Sequence, residues 1–283
     1  MTSFRVAALQ MRSAMDPAAN LATFEALVRE AAGSGAVYVQ SPEMTGMLVR
    51  GREALFARIV PADQDPLVRR ASELARELSV FVHVGSTAVL LDDGKVANRS
   101  FLFGAEGELI TTYDKIHMFD VDLDNGESWR ESATYAPGDQ AVVADLPFMK
   151  LGLSICYDLR FPQLFRAQAL AGAEVLAVPA SFTRQTGEAH WHVLLRARAI
   201  ENGAWVIAAA QGGKHEDGRE TYGYTLIVDP WGRVVADAGN NEPGIVLAEI
   251  DPAASADARR KLPNLLNARD FALPAVPQAE ITA

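Results

Sequence analysis

Cysteine is the scarcest reactive residue in this chain, because Cys156 is the only one among 283 residues. A single cysteine excludes an internal disulfide and a zinc site built from several thiolates, and it is typical of proteins kept in a reducing compartment. We therefore expect a cytoplasmic location, and a role for Cys156 in chemistry or in packing.

Long hydrophobic runs and a positive net charge are also absent from the sequence. No stretch approaches the ~20 apolar residues that a membrane helix needs, and the N-terminus lacks the apolar region of a signal peptide. The formal net charge is −10, whereas nucleic-acid-binding proteins normally carry a basic face. We expect neither a membrane nor a nucleic-acid partner.

The hydrophobic fraction of 49% and the charged fraction of 22% are those of an ordinary folded protein. Periodicity and turn residues predict the same order of strands and helices in both halves of the chain. In the first half the predicted strands are 4–10, 36–40, 80–91, 95–104 and 108–114, and the predicted helices are 17–33 and 66–78. In the second half the predicted strands are 141–145, 149–155, 174–178, 204–210, 222–229, 234–238 and 244–250, and the predicted helices are 162–171 and 188–202.

Two mixed sheets, packed face to face with helices outside, would bury both sets of apolar strands. The sequence therefore predicts an α/β protein, a four-layer α-β-β-α sandwich. We expect one domain over residues 1–261, followed by an extended tail, residues 262–283, which lies over this subunit or a neighbour. The irregular segment 116–138 mixes aromatic and acidic residues, which favours an ordered functional loop.

Cys156 follows an apolar strand and precedes a helical pattern, in the segment LGLSICYDLRFPQLF. A cysteine can be a small buried hydrophobe with no chemical role. In a sharp turn from strand to helix, however, backbone N–H groups and the helix N-terminus lower a thiol pKa and provide an oxyanion site. A thiol nucleophile also needs a base and an electrophilic partner, and those should lie at other strand ends.

Two ionisable residues fit that requirement. Glu43 follows the predicted strand 36–40 after a Ser-Pro turn, and Lys115 follows the strand 108–114. Taken singly, Glu43 fits a helix-cap or surface carboxylate better than a catalytic one, and Lys115 fits a solvated turn lysine better, because such residues are mostly exposed. Together with Cys156 they suggest a common site.

Three segments in this order, SPEMTG, YDKIHMFDVD and LSICYDLRFPQLFRAQALAGAEVLAVPA, resemble the signature segments of the nitrilase superfamily of carbon-nitrogen hydrolases. The similarity extends to GEAHWHVLLRARAIENGAWVIAAAQGG, YGYTLIVDPWG and ARRKLPNLLNAR, and so covers nearly the whole chain. The sequence around the lysine and the cysteine is most similar to that of the Nit-type amidases, the branch that includes enzymes acting on deaminated glutathione and on ω-amides of 2-oxo acids.

The resemblance implies a catalytic triad of Glu43 as general base, Lys115 as oxyanion stabiliser and Cys156 as nucleophile, with no metal or organic cofactor. It also implies a second glutamate in the long loop that supports the lysine. Glu131 matches that glutamate, and Glu127 lies nearby. The family further implies a homodimer or a higher homo-oligomer, formed through the helices after the cysteine and around residue 195.

The substrate implied by this branch is a small primary amide that carries a carboxylate, cleaved through a thioester with release of ammonia. Arg50, Arg52 and Arg184 lie in segments expected to rim the pocket and could pair with that carboxylate. The expected pocket walls just past strand ends are Tyr157, Phe182 and Thr183. N-carbamoyl amino acids, other aliphatic amides and nitriles are alternative substrates.

Two readings from other classes stay open on sequence alone. Cys156 could be the peroxidatic group of a redox protein, although such a protein would lack an internal resolving thiol. The chain could also be a catalytically silent scaffold.

His190 and His192 are two residues apart on a helix, so they lie on different faces and do not form a helical zinc pair. The segment Gln211-Gly212-Gly213-Lys214 lacks the spacing of a phosphate-binding loop.

Overall fold

Two six-stranded mixed sheets form the centre of the molecule in the computed structural model, which describes residues 3–123, 126 and 128–272. In spatial order the first sheet contains Gly244–Ile250 (β16), Phe4–Gln10 (β1), Tyr38–Gln40 (β2), Phe81–Leu90 (β3), Val96–Phe103 (β4) and Leu109–Asp114 (β5). The second contains Val142–Leu146 (β8), Met149–Leu153 (β9), Val175–Ala177 (β10), Trp205–Ala208 (β11), Leu226–Val228 (β14) and Val234–Asp237 (β15). Two hairpins lie outside the sheets and pair Asp120–Asp122 (β6) with Ser128–Arg130 (β7), and Gly212–Lys214 (β12) with Glu220–Tyr222 (β13).

The two sheets have the same sequence of pairings, which confirms that the second half of the chain repeats the order of the first. From β16 to β5 the neighbouring strands pair antiparallel, parallel, parallel, antiparallel and antiparallel. From β8 to β15 the order is identical. Because β1 and β2 are parallel, and so are β9 and β10, their carboxyl ends meet at one edge of each sheet, where ligand sites of α/β proteins form.

Helices cover the outer face of each sheet. Pro17–Gly33 (α1) and Pro66–Leu78 (α3) pack against the first sheet, and Pro162–Leu170 (α4) and Arg184–Asn202 (α5) pack on the second. Alternate residues of a strand point to opposite faces: Ala7 and Leu9 of β1 join the cluster under α1 and α3, while Val6 and Ala8 face the other sheet. The predicted four-layer α-β-β-α sandwich is thereby confirmed.

The inner faces of the two sheets contact through aromatic and polar side chains. The ring of Phe148, between β8 and β9, meets Phe4 and Phe81 edge to face at centroid distances of 4.7 and 4.9 Å. Gln40 Nε2 donates to the carbonyl oxygen of Ile207 at 3.2 Å. These contacts hold the sheets in one relative orientation, and the catalytic candidates from different sheets depend on that orientation.

Several predicted boundaries differ from the structure. Helix α5 begins at Arg184 instead of Glu188, because the side chain of Thr183 caps it. The predicted strand 222–229 is interrupted, since Gly223 and Tyr224 have left-handed φ values of 75° and 54°. The last strand, β16, pairs with β1 of the first sheet. The sequence did not predict two helices, Arg52–Phe56 (α2) and Ala253–Lys261 (α6).

Helix α6 ends at Lys261, and residues 262–272 contain no helix or strand. Asn264 in this segment donates to the carbonyl oxygen of Glu201 at 2.7 Å. Residues 273–283 lie outside the described residues, so the extended tail stays a prediction. Over the described ranges, no helix is both long enough and apolar enough to span a bilayer.

Gly85 of β3 lies where the loops after β2 and β10 approach each other. A Cβ at this position would stand 2.0 Å from the Ser41 carbonyl oxygen and 2.5 Å from Pro179 Cβ. We predict that Gly85→Ala destabilises the fold by at least about 2 kcal/mol, because backbone atoms cannot move aside as a flexible side chain can. Urea unfolding measures the loss.

Gly33→Ala is the matched control, because no atom lies within 4 Å of a Cβ at the end of α1. Its free energy of unfolding should stay within about 1 kcal/mol of wild type. Equal stability of the Gly85→Ala variant and the wild type would contradict the close approach.

Candidate active site

Glu43, Lys115 and Cys156 converge on one buried site from three separate strand ends. Glu43 comes three residues after β2, Lys115 comes directly after β5, and Cys156 comes three residues after β9. Lys115 Nζ lies 3.1 Å from Glu43 Oε1, and the Cys156 thiol lies close enough to both residues for each to shift its pKa. Their exposed fractions are 3%, 2% and 8%, respectively, so all three interact with little competition from water.

The turn that carries Cys156 is a short 3₁₀ helix, Cys156–Arg160, immediately before α4. Cys156 has a left-handed φ of 50°, an uncommon conformation for a residue with a side chain and one that clusters at functional sites. Its N–H donates to the carbonyl oxygen of Pro179 at 2.9 Å. The next N–H, of Tyr157, is in the first turn of the 3₁₀ helix, where backbone donors have no partner within the helix.

The Glu43 carboxylate is surrounded by donors. Oε1 accepts from Asn98 Nδ2 at 2.9 Å in addition to Lys115, and Oε2 accepts from the backbone N–H and the hydroxyl of Ser181 at 2.9 and 2.7 Å. Burial alone would raise the pKa of Glu43, but the charge of Lys115 and these hydrogen bonds outweigh it and leave the pKa below its usual value. Glu43 is therefore an anion at neutral pH.

Charge also fixes the resting states of the other two residues. Burial raises the pKa of the Cys156 thiol well above its usual value, and the neighbouring Glu43 anion raises it further, against the opposing effect of Lys115. Burial would lower the pKa of Lys115, but Glu131 and Glu43 outweigh burial and raise it. The resting site thus holds a carboxylate, an ammonium and a neutral thiol.

Glu131 lies against Lys115, as the resemblance implied. Its Oε1 and Oε2 are 3.0 and 2.8 Å from Lys115 Nζ, and Oε2 also accepts from the backbone N–H of Phe119 at 2.6 Å. The short helix Glu131–Ala133 after β7 holds it there. The alternative, Glu127, lies outside the described residues.

Asp158 is a residue of this site that sequence reasoning missed. Its fully buried carboxylate accepts from the backbone N–H groups of Ile155 and His117 at 2.9 and 3.0 Å, and from Tyr113 OH at 2.7 Å. His117 Nδ1 lies 2.7 Å from it as well. Asp158 therefore ties the cysteine turn to the residues on either side of Lys115. Its place two residues after the cysteine was the available signal.

Next to these residues is a cavity of about 290 Å³, near the lower end of the range for small-molecule sites. Tyr157, Phe182 and Thr183 line it, as predicted. The sequence did not single out six other lining residues, namely Phe119, Trp129, Arg130, Arg160, Ser181 and Arg219. Thr183 also caps α5, so it serves the fold as well.

The predicted rim arginines divide into two groups. Arg50 and Arg52 line the cavity. The prediction for Arg184 is wrong, because its guanidinium is bound on the surface by Glu188 and Glu220 at 3.0 and 2.9 Å and does not line the cavity.

The two histidines of α5 each contact another side chain. His190 Nδ1 lies 3.3 Å from Arg160 Nη1, and His192 Nε2 lies 2.9 Å from Asp237. Over the described part of the chain, no group of three or more His, Cys, Asp or Glu side chains is arranged to hold a metal ion.

Comparison with known families gives one match over most of the chain. The family described as "Carbon-nitrogen hydrolase" matches residues 5–260. The chain is 40% identical to the deaminated glutathione amidase of Yersinia enterocolitica over 95% of this chain and 94% of that protein. It is 34% identical to omega-amidase NIT2 of Homo sapiens, over 93% and 94% of the two chains.

Solved structures give the same result. Saccharomyces cerevisiae Nit3, a member of branch 10 of the nitrilase superfamily, superposes with a TM-score of 0.82 at 27% identity, covering 92% of this chain and 94% of that chain. A glutamate-to-glutamine mutant of an amidase from Nesterenkonia superposes with a TM-score of 0.75 at 25% identity, over 92% and 98% of the chains. That structure contains the product of Michael addition of acrylamide at its active site cysteine.

We predict that Glu43→Gln lowers the pKa of the Cys156 thiol, although it removes the base. The carboxylate charge raises that pKa, and the neutral amide would leave the opposing effect of Lys115 in place. Methanethiosulfonate labelling should reach its half-maximal rate at a lower pH in the variant, and no other cysteine contributes to the signal. Lys115→Met should shift the labelling profile to higher pH. A profile unchanged in both variants would contradict the proposed charge coupling.

We also predict that Asp158→Asn lowers kcat for hydrolysis of the substrate amide by about 10-fold to 100-fold. The asparagine side chain cannot accept all the hydrogen bonds that the aspartate carboxylate accepts. Asp229→Asn is the matched control, since Asp229 accepts from two backbone N–H groups in a turn of the second sheet, away from the cavity. Kinetics at a temperature where both variants are folded measure the effect. Full kcat for Asp158→Asn would refute the positioning role.

Proposed function

The chain belongs to the carbon-nitrogen hydrolase family and is an amidase, and we propose that it cleaves a small carboxylate-bearing amide through a thioester on Cys156. The predicted family is confirmed by the match over residues 5–260. The single observation that carries the proposal is the convergence of a carboxylate, an ammonium and a thiol in one buried site, where Glu43 contacts Lys115 and both charges act on the Cys156 thiol.

In the proposed mechanism Glu43 takes the thiol proton as the sulfur attacks the amide carbon. The developing oxyanion is stabilised by the Lys115 ammonium and the backbone N–H of Tyr157. Collapse of the tetrahedral adduct expels the amine side, ammonia in a primary amide, which receives the proton from Glu43. Glu43 then deprotonates a water molecule, whose oxygen attacks the thioester carbon. The C–S bond breaks, the carboxylic acid leaves, and Glu43 returns its proton to the Cys156 sulfur.

The charge of the cavity supports an anionic substrate. Five arginines line it, and its two acidic lining residues, Glu43 and Glu131, both contact Lys115. Asp122 binds Arg130 and Asp217 binds Arg219, whereas Arg50, Arg52 and Arg160 have no carboxylate within salt-bridge distance among the described residues. Arginine pairs with carboxylates in a bidentate geometry that an uncharged amide cannot use. We therefore favour a substrate of the type that the relatives are named for, deaminated glutathione or an ω-amide of a 2-oxo acid, over nitriles and simple aliphatic amides. N-carbamoyl amino acids are the alternative with the same charge.

The redox alternative is disfavoured by the state of the thiol. Peroxidatic cysteines are accessible and have a lowered pKa, whereas Cys156 is buried and its pKa is raised. A silent scaffold would have no need of an ion cluster that is expensive to bury.

We also propose a cytoplasmic homodimer. Large apolar side chains are exposed on the two helices that cover the second sheet, Leu170 on α4 and Val193 and Ile200 on α5. Exposed apolar groups of this kind support an interface between copies of the chain.

The proposed function is tested by mass measurement of the intact protein after incubation with deaminated glutathione, 2-oxoglutaramate, an N-carbamoyl amino acid and a nitrile. We expect an acyl adduct on Cys156 with the first two compounds, and turnover that falls by at least ~100-fold in Glu43→Gln and Lys115→Met. Cys156→Ser should form no thioester. Unchanged turnover in Cys156→Ser, or turnover only of nitriles and uncharged amides, would overturn the proposal.

A further inference from the structure

A row of aromatic rings runs along the wall of the cavity. It begins with Tyr157, next to the nucleophile, continues through Phe119 and ends at Trp129 in the β6–β7 hairpin. The ring centroids are 5.1 Å apart for Tyr157 and Phe119 and 6.4 Å apart for Phe119 and Trp129. Such a wall suits an elongated ligand better than a compact one.

An arginine side chain stacks at each end of this row. Arg160, four residues after Cys156 on the same turn, lies over the rings of Tyr157 and Phe182 at 5.9 and 5.3 Å. At the far end two guanidinium groups flank Trp129, Arg50 at 5.1 Å and Arg219 at 4.9 Å. The cavity therefore has two cationic ends separated by an aromatic wall.

The far end has donors that the protein leaves unused. Within the described ranges, Trp129 Nε1 and Arg219 Nε are buried without a hydrogen-bond partner. Asp217 lies 3.0 Å from Arg219 Nη2 and fixes the guanidinium. A buried donor without an acceptor costs about 1–3 kcal/mol, so each is expected to have a partner in the working state of the site.

Arg50 is the other cation available at this end. Over the part of the chain that the structure describes, it has no carboxylate within salt-bridge distance, in contrast to Arg130, which Asp122 binds at 2.7 Å. An anion beside Arg50 at this end of the cavity would meet a positive charge that no described carboxylate compensates.

We propose that Arg50, Trp129 and Arg219 form a distal subsite for a second carboxylate, carried by the nitrogen side of the substrate amide. This inference rests on the proposed function. Because Arg160 shares its turn with Cys156, the carboxylate it can reach is close to the scissile carbon, on the acyl side. The distal group then belongs to the leaving amine.

The substrate class is therefore an N-substituted amide with one carboxylate on each side of the scissile bond. Deaminated glutathione has this pattern, because its leaving group is a dipeptide with a free carboxylate. A primary ω-amide of a 2-oxo acid lacks the second anion. The subsite thus favours deaminated glutathione over the primary ω-amide, and the leaving group is an amine in place of ammonia.

Two matched substrates test the subsite, the 2-oxoglutaryl amides of glycylglycine and of glycylglycinamide, which differ only in the terminal carboxylate or carboxamide. We expect wild-type kcat/KM to favour the carboxylate by at least ~10-fold, mainly through KM, because one charge-assisted hydrogen bond is worth about 1.5–3 kcal/mol. Release of 2-oxoglutarate measures both rates.

The ratio of the two kcat/KM values should fall towards one in Arg50→Gln, in Arg219→Gln and in Trp129→Phe, which keeps the ring and removes the N–H. Arg184→Gln is the matched control, because that surface arginine does not line the cavity, and its ratio should equal that of wild type. A residue with only a structural role would lower both rates equally and leave the ratio unchanged, which would overturn the assignment.

Binding of the same two amides to Cys156→Ser, measured by calorimetry, separates this inference from the proposed function. About 10-fold tighter binding of the carboxylate form supports the subsite even if no amide is hydrolysed. Equal binding overturns it, even if both amides are cleaved through an acyl adduct on Cys156.

Discussion

The Lys115 ammonium, held between Glu43 and Glu131, is the interaction on which the rest of the site depends. Lys115 Nζ contacts three carboxylate oxygens at 3.1, 3.0 and 2.8 Å, and the side chain is almost fully buried. Removal of three ionised groups from water costs several kcal/mol for each ion unless geometry and hydrogen bonding compensate. Asn98, Ser181 and the N–H of Phe119 provide that compensation.

Such a cluster is a poor way to stabilise a fold, since apolar side chains of the same volume would often serve as well. Its value lies in the charge that it places next to sulfur. Burial and then the Glu43 anion raise the pKa of the Cys156 thiol against the opposing effect of Lys115, so the thiol stays protonated at rest. The nucleophile then forms only as an electrophilic carbon arrives, and the only thiol of the chain is protected from oxidants that attack thiolates.

The fold explains how residues 43, 115 and 156 meet. Because the two halves of the chain repeat one strand order, the carboxyl ends of the parallel strands in both sheets lie at one edge. Glu43 leaves the first sheet there and Cys156 leaves the second. The Cys156 N–H donates to the carbonyl oxygen of Pro179, which follows β10, and the N–H of Ser181, two residues further on, donates to Glu43. Backbone geometry of one sheet thus positions an acid from the other.

Sequence patterns predicted the layers, most strands and the strand ends that carry the catalytic candidates, because apolar periodicity and turn residues are local signals. The resemblance added the roles of Glu43, Lys115 and Glu131. Asp158 was missed because its partners His117 and Tyr113 are 41 and 45 residues away in the chain. The pairing of β16 with β1 joins the two ends of the domain, and no local pattern records such a contact.

The distal cations could not be predicted for the same reason. Arg50 and Arg219 lie on two separate loops and reach Trp129 of β7 only in the folded chain. Arg184 was expected at the same rim, yet two glutamates bind it at the surface. Whether a carboxylate binds an arginine at the surface or an aromatic ring packs against it is a tertiary property, and the sequence does not record it.

The contrast between an acidic chain and a cationic cavity also limits how an anionic substrate is selected. A formal charge of −10 repels anions at long range, but salt screens that repulsion beyond about 8 Å at physiological ionic strength. Inside the cavity the arginines lie beside the rings of Tyr157, Phe119 and Trp129, and at contact distance their attraction for a carboxylate is stronger than the screened long-range repulsion. Discrimination between substrates therefore arises after entry, from contacts that depend on where each carboxylate lies relative to the sulfur. An anion of the wrong length loses one of the two cationic ends, and its charge then stays partly desolvated without a partner.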